Sequence, residues 1–524
     1  MRADEASEKA PIVDLYGRLL EEFSAQIGES RAVYGQAARS VREEIVRCVW
    51  FGGHYSRQDL RTEDGRRLEV VSPGWWNVEA GPDFIRAEML LEGVGRLTGD
   101  VEVHTLSGGW YAHGHHRQPE YNDVILHVVM WNDRQEPTVE AASGAAIPQL
   151  ALSGAVGGDM EELVELIDPE AGPADQPALQ AVEGKYCGTA YRNGEIEAEW
   201  LGRLLDAAGD HRLLRRVAEL AELFRTHSRE QILYERIAEA LGYRGNRMPF
   251  LQLAGLLPLA ELRRAVPAQD AAARSLTLEA AYFTTAGLLA GPPAGDEDPE
   301  SAAYREALSC AWERFEPKPP TRLSAEHWKL AGVRPVNYPP RRIAALARLC
   351  GAQLHTGLFN HFLRAVHSAR AAGRGRDDVA VRHALLNAFL QLEHPYWSFR
   401  YTLGGRRLTR ARALVGDERA MSILIDVLLP LLMAHAHGEG DEDLPRRLAE
   451  LWRNLPRQGD NSITRRMEQT LFAGSRDAQR VVGSTRRQQG LHQLYRDCCQ
   501  GSAGCERCVL YLARQAGKRL DAVR

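Results

Sequence analysis

The 524-residue sequence lacks a basic balance: 65 Lys and Arg stand against 70 Asp and Glu, a formal charge of −5. A strongly cationic face is the usual footprint of nucleic-acid binding, so overall charge lends that function no support. A local basic groove on an acidic chain stays compatible with these totals. The arginine-rich stretches at residues 341–342, 406–412 and 486–487 read as solvated helix faces. Long apolar runs are missing too. The most apolar stretch, residues 421–433, is interrupted by Asp426 and Pro430 and falls short of the roughly 20 residues that cross a bilayer. The first eleven residues are polar and acidic, without the apolar segment of a signal peptide. Eight cysteines in so long a chain exclude a disulfide-stapled secreted scaffold. No internal repeat is evident, which argues against an α-solenoid. These absences lead us to expect a cytoplasmic protein with no membrane association.

A chain of this length exceeds what one core organises, and two or three domains are expected. Residues 15–51 follow a mostly helical period. In the segment from Val41 to Trp50, positions 41, 45, 46, 49 and 50 are apolar and share one side. The pattern then shortens to extended runs at residues 66–72, 84–91 and 98–105, the last two joined by a turn over residues 92–95. A polar, aromatic and histidine-rich stretch, residues 110–121, follows and holds a short helix. The apolar run of residues 124–131 reads as a buried strand. Residues 157–180 are rich in Gly, Pro, Ala, Asp and Glu, as linkers are. From Ile196 onward the period is helical. The expected organisation is an α/β module over residues 1–156, a linker over 157–194, a helical domain over 195–490 and a cysteine-bearing segment over 491–524.

The densest chemistry lies between Gly74 and His116. On a strand, Asp100, Glu102 and His104 share one face while Val101 and Val103 occupy the other. Buried carboxylates need partners, and a divalent cation is a common one. If Asp83 begins the neighbouring hairpin strand, its carboxylate reaches the same edge as Glu102. Two hard oxygen ligands then suit Mg²⁺ or Mn²⁺.

Pro82-Asp83 followed nineteen residues later by Glu102-Val-His104 resembles the PD-(D/E)XK nuclease core, with histidine where that pattern has lysine. The resemblance covers about residues 41–131 and implies a restriction-endonuclease-like αβββαβ fold. It also implies that Asp83 and Glu102 hold the metal and that His104 positions or deprotonates a water. A histidine, neutral near pH 7, can serve as base or nitrogen ligand where a lysine supplies a cation. His113, His115 and His116 resemble the histidine-bearing segment of very-short-patch mismatch endonucleases. Glu43 or Glu44 can add a carboxylate. Asn77 and Glu79 are either second-layer ligands or, for Asn77, a turn residue. His127 reads as a core histidine satisfied by a backbone carbonyl.

Near the end, Cys498, Cys499, Cys505 and Cys508 fall within eleven residues. A CxxC spacing in a cytosolic protein points to zinc or an iron–sulfur cluster. Cys187 with Cys499, Cys505 and Cys508 resembles the iron–sulfur staple of some helicase-associated nucleases. Ala80 to Phe84, Gly99 to His104, His127 to Val129, Arg334 to Pro339, Tyr396-Trp397 and Cys505-x-x-Cys508 together resemble a bacterial family known as domain of unknown function 2851. In the loop from Arg334 to Arg342, arginines around prolines either contact phosphates or form a helix start with Pro at its first position. The aromatics of His394 to Arg400 either stack on bases or pack in a core. Two functions of different classes follow: a metal-dependent nuclease or nucleic-acid binder, and a non-catalytic scaffold that docks a protein partner.

Overall fold

The computed structural model describes residues 12–23, 43–52, 55, 60–77, 81–156, 186–266, 268, 270–289, 297–319, 321–330, 333–370, 376–436, 443–473, 475–499, 505 and 508–516. The chain divides into two compact units. One comprises residues 29–175, the other residues 1–28 with 176–524.

The first unit is α/β. After the helix Glu43–Gly52 come β1 (Leu68–Ser72), β2 (Trp75–Trp76), β3 (Phe84–Leu91), β4 (Gly95–Leu106), β5 (Val124–Trp131), β6 (Thr138–Glu140) and β7 (Ala146–Ala151). The strand order is β1-β3-β4-β5-β7-β6, with β2 also paired to β3. β1, β3 and β4 run antiparallel, and β5 joins β4 in parallel. A parallel step needs a crossover. Here it holds the short helix Gly109–Ala112 and two 3-10 turns, His115–Arg117 and Pro119–Tyr121. Gly114, at φ +79, and Pro119 keep the crossover from becoming one continuous helix.

The expected order of a helix, three strands, a short helix and a strand is present. β2, β6 and β7 were not anticipated. β7 carries Pro148 in its interior, and a proline argues against a strand in sequence patterns. It nevertheless pairs with β5 through His127↔Gln149 and with β6 through Thr138↔Pro148.

The second unit is helical, as expected, but its boundaries differ from the sequence reading. The helix Leu15–Glu22, expected in the α/β module, buries Tyr16 and Leu19 with Leu204, Leu205 and Leu491. His211 Nδ1 lies 2.9 Å from Asp14. Apolar burial assigns this helix to the helical unit. Tyr186–Arg192, placed in the linker by sequence, is also a helix of this unit, with Cys187 in the same core. Residues 157–185 of that linker lie outside the described residues. The central helix Ala198–Leu223 meets Thr485–Leu494 closely: a Cβ at Gly490 would lie 2.1 Å from the Leu205 carbonyl oxygen.

Two loops singled out by sequence are structural. Arg341 is fully buried at the start of the helix Pro339–Gln353 and donates to the carbonyls of Val336, Trp397, Arg400, Arg412 and Ala413. Arg342 donates to the Leu414 carbonyl and to Asn337 Oδ1. These two guanidiniums are committed to protein oxygens, so neither contacts phosphate and neither lies on a solvated face. Tyr396 and Trp397 are buried, Trp397 stacking on Phe283 at 5.3 Å, so the core reading of this motif holds. The helix Asp417–Ala436 is long and apolar enough to cross a membrane by length and composition, yet 72% of its apolar window is buried inside the unit.

Burying a guanidinium is tolerated here because five N–H donors meet five carbonyls. Arg341→Met leaves those oxygens without donors, at about 1–3 kcal/mol for each that water cannot reach. We expect a loss of at least about 3 kcal/mol in urea denaturation, with Arg341→Lys recovering only part of it. Unchanged stability in Arg341→Met would contradict this role.

Candidate functional site

The site forms where β3, β4, β5 and the crossover meet. Phe84 pairs with Val101, which sets the preceding Asp83 beside Glu102. The Asp83 amide donates to Glu102 Oε2 at 3.0 Å, and the Val103 amide donates to Asp83 Oδ2 at 3.0 Å. Asp83, Glu102 and His104 are 6%, 4% and 1% exposed. Asp83 Oδ1 also receives Arg47 Nη2 at 2.9 Å, and Arg47 reaches back one helical turn to Glu43 at 2.6 Å. Burial, with Glu102 adjacent and against the pull of Arg47, pushes the Asp83 carboxyl up to about 8.

Of the three residues expected on one face of β4, Asp100 has a different partner from Glu102 and His104. The pairing of β4 with β5 shifts register between Asp100 and Val101. Asp100 instead accepts from the Arg86 amide at 3.1 Å.

From His104 a chain of side chains crosses the sheet, following the register Glu102↔His127↔Gln149. His104 Nδ1 lies 2.9 Å from His127 Nε2, and His127 Nδ1 lies 2.8 Å from Gln149 Oε1. Gln149 Nε2 donates to the Glu136 carbonyl at 2.6 Å, which fixes the orientation of its amide. The protons can then be assigned from the network. Oε1 accepts from His127 Nδ1–H, His127 Nε2 accepts from His104 Nδ1–H, and His104 Nε2 is left bare. Both rings are neutral. Burial, reinforced by His127, lowers the pKa of His104 far below the usual range, and burial takes His127 down to about 4. His127 is thus a core histidine as expected, but its partners are side chains. The strand pairing supplies both, so no backbone carbonyl is needed.

The crossover brings two more imidazoles to the bare nitrogen. His113 Nδ1 is 3.0 Å from His104 Nε2. His115 Nε2 is 3.2 Å from Glu102 Oε1, which in turn lies 3.8 Å from His104 Nε2. His115 is buried, its ring stacked on Tyr121 at 3.9 Å between centroids, and its Nδ1 is 2.9 Å from Gln118 Oε1. Burial disfavours a charge on His115, but Glu102 and Gln118 outweigh it and raise the pKa. Among the described residues, one group brings three potential metal-ligand atoms within 4.8 Å of one another: His104, His113 and His115. A cavity of about 390 Å³ adjoins it, lined by residues that include Glu43, His104, His113 and Asp133.

Other sequence candidates fall elsewhere. Asn77 acts in the turn before β3: its Nδ2 donates to the Pro82 carbonyl and its amide to the Asp83 carbonyl. Glu79 and the side chain of Glu44 lie outside the described residues. Of the two glutamates considered on that helix, Glu43 lines the cavity. Sequence reading missed Arg47 and Gln149. Glu43 and Arg47 at i,i+4 were legible as a helix pair, whereas Gln149 needed the unanticipated β7.

The cysteines sit in the helical unit. The Cys498 and Cys508 thiols are hydrogen-bonded to each other. Cys187 feels the charge of Cys508 and Cys505, and its buried thiol is pushed up to about 12. Cys499 packs against the same core. These thiols are neighbours, but no three of them converge as the imidazoles do.

A family model described as "Protein of unknown function (DUF2851)" matches residues 43–461. The chain belongs to this family. No curated protein and no solved structure matches it. The matched span opens at the helix that carries Glu43 and Arg47 and includes every residue of the histidine site. It ends before Cys498, so the C-terminal cysteines fall outside it.

Gly109 supports the His104 ring directly, since a Cβ there would lie 2.5 Å from His104 Cδ2. In an ordinary helix Gly→Ala gains about 1 kcal/mol. Here His127 and His113 hold the ring on both sides, and Gly109→Ala should instead cost about 1–3 kcal/mol through overpacking. A gain in thermal stability for this variant would contradict the packing described.

Proposed function

We propose that the α/β unit is a metal-dependent phosphodiester hydrolase that acts on nucleic acid. The observation that carries this reading is the junction of β3 and β4, where Asp83 and Glu102 meet through paired backbone and carboxylate hydrogen bonds and His104 follows on the same strand. The arrangement agrees with what the PD-(D/E)XK resemblance implies, as does the order of elements around it.

A divalent cation at such a site stabilises negative charge on a phosphoryl group and lowers the pKa of a water. The protein's own groups prepare the rest. The network through His127 and Gln149 sets His104 as a neutral ring with Nε2 toward the site, where it can grip a cation. Arg47 places a fixed positive charge on the Asp83 carboxyl, a service that the lysine of the superfamily pattern would otherwise give. The cavity beside His104 admits a phosphate ester to the open side, where His113 is exposed.

A second reading, a docking module with a degenerate nuclease fold, is favoured by one observation. Among the described residues, the cavity lining carries Glu43 and Asp133 and neither lysine nor arginine, a poor setting for a polyanion.

Incubation of the full chain with labelled single- and double-stranded DNA and RNA in Mn²⁺ separates the two. The hydrolase reading predicts metal-dependent cleavage that falls at least about 100-fold in Glu102→Gln and in His104→Ala. Absence of cleavage on every substrate, or cleavage indifferent to both substitutions, would establish the docking reading in its place.

A further inference from the structure

We propose that the α/β unit holds a first-row divalent transition metal on Glu102, His104, His113 and His115, and that Asp83 positions this centre without binding the ion. The inference deepens the hydrolase reading, because it names the cofactor of that same site.

The argument rests on lone pairs. Gln149 and His127 leave His104 Nε2 without a proton, as derived above. The Gln118 amide oxygen beside His115 Nδ1 calls for a proton on that nitrogen, so Nε2 is the nitrogen of this ring that can give up its proton to a metal. This second nitrogen is buried and forms no hydrogen bond, although Glu102 Oε1 is 3.2 Å away. His104 Nε2 and His115 Nε2 therefore face Glu102 Oε1 at 3.8 and 3.2 Å, with His113 Nδ1 3.0 Å from His104 Nε2. Protons on His113 Nδ1 and His115 Nε2 hold these atoms together in the absence of an ion, and a divalent cation takes the place of those protons. The spacing suits an ion: two ligand atoms about 2.1 Å from a metal and at right angles are about 3 Å apart.

Ligand type selects the metal. Three imidazoles and one carboxylate suit zinc, iron or manganese, whereas Mg²⁺ prefers oxygen ligands and retains its waters. The hydrogen bonds from His104 to His127 and from His115 to Gln118 also give each ring the orienting partner that metal-bound histidines have. The Asp83 carboxyl has partners of its own. One of its oxygens is engaged by the Val103 amide and the other by Arg47, contacts that hold the end of β3 against β4. A Mg²⁺ or Mn²⁺ site built on Asp83 and Glu102 as joint ligands, the arrangement expected from sequence, gives way here to a nitrogen-rich one.

Mn²⁺ binding to the metal-stripped full chain, read as loss of the free-ion EPR signal, tests the assignment. Mn²⁺ is a suitable probe because thiols are poor ligands for it, so the C-terminal cysteines stay silent. The expected result is one bound ion per chain that Zn²⁺ displaces and excess Mg²⁺ does not. His115→Ala and the exposed His113→Gln should each weaken binding at least about tenfold, while Asp83→Asn changes it by less than about threefold. Equal affinity in wild type and His113→Gln, or loss of binding in a folded Asp83→Asn, would overturn the proposal. Binding on this pattern without cleavage of any nucleic acid would retain the metal centre and remove the hydrolase reading.

Discussion

A carboxylate buried in the middle of a sheet is costly unless every lone pair finds a partner, and Glu102 imposes that demand on the α/β unit. At 4% exposure it cannot rely on water. One oxygen is met by the Asp83 amide, which ties β3 to β4 at a single register. The other faces His115 and His104, which ties the crossover to the strand it leaves. The short helix of the crossover begins with a glycine because the His104 ring occupies the space where a side chain would go. Arg47 answers the second buried carboxyl, Asp83, and so fixes the helix Glu43–Gly52 against the same strands. Several parts of the fold that look independent are responses to one buried charge.

The polar groups form a row where a sheet of this kind would ordinarily be apolar. Glu102, His127 and Gln149 are register partners across β4, β5 and β7, and His104 joins them one pleat along. Each member is buried and each has a partner, so the row is compatible with a packed core. The helical unit meets the same demand with opposite chemistry. There Arg341 supplies donors to a set of carbonyls that no secondary structure pairs. In both units a buried polar group fixes the positions of segments distant in sequence.

Much of this was legible from the sequence, for identifiable reasons. Valines at 101 and 103 alternating with Glu102 and His104 marked β4, and the helix with the four expected strands emerged in order. Asp83, Glu102 and His104 were found because acids and an imidazole on an otherwise apolar strand conflict with local preference. Long-range pairing set the rest. Asp100 is taken up by the Arg86 amide where β3 pairs irregularly with β4, and no local pattern announces an irregularity of this kind. His127 was recognised as buried, but its partner Gln149 lies on a strand that Pro148 disguised. The three histidines of the crossover were noticed as a cluster. That His113 turns toward His104 and His115 toward Glu102 depends on the turns at Gly114 and Pro119. The start of the chain was misassigned because the helical period around Tyr16 reveals an apolar face without revealing which core it joins.

The central claim is that the buried carboxylate and the imidazoles share a cation. Anomalous X-ray diffraction at the manganese edge, from crystals of the full-length protein grown with Mn²⁺, addresses it directly. The account predicts one strong peak within bonding distance of Glu102 Oε1, His104 Nε2, His113 Nδ1 and His115 Nε2, with Asp83 still bound to Arg47. A peak bridging the Asp83 and Glu102 carboxylates away from the imidazoles would contradict it, and so would no peak in this unit at all.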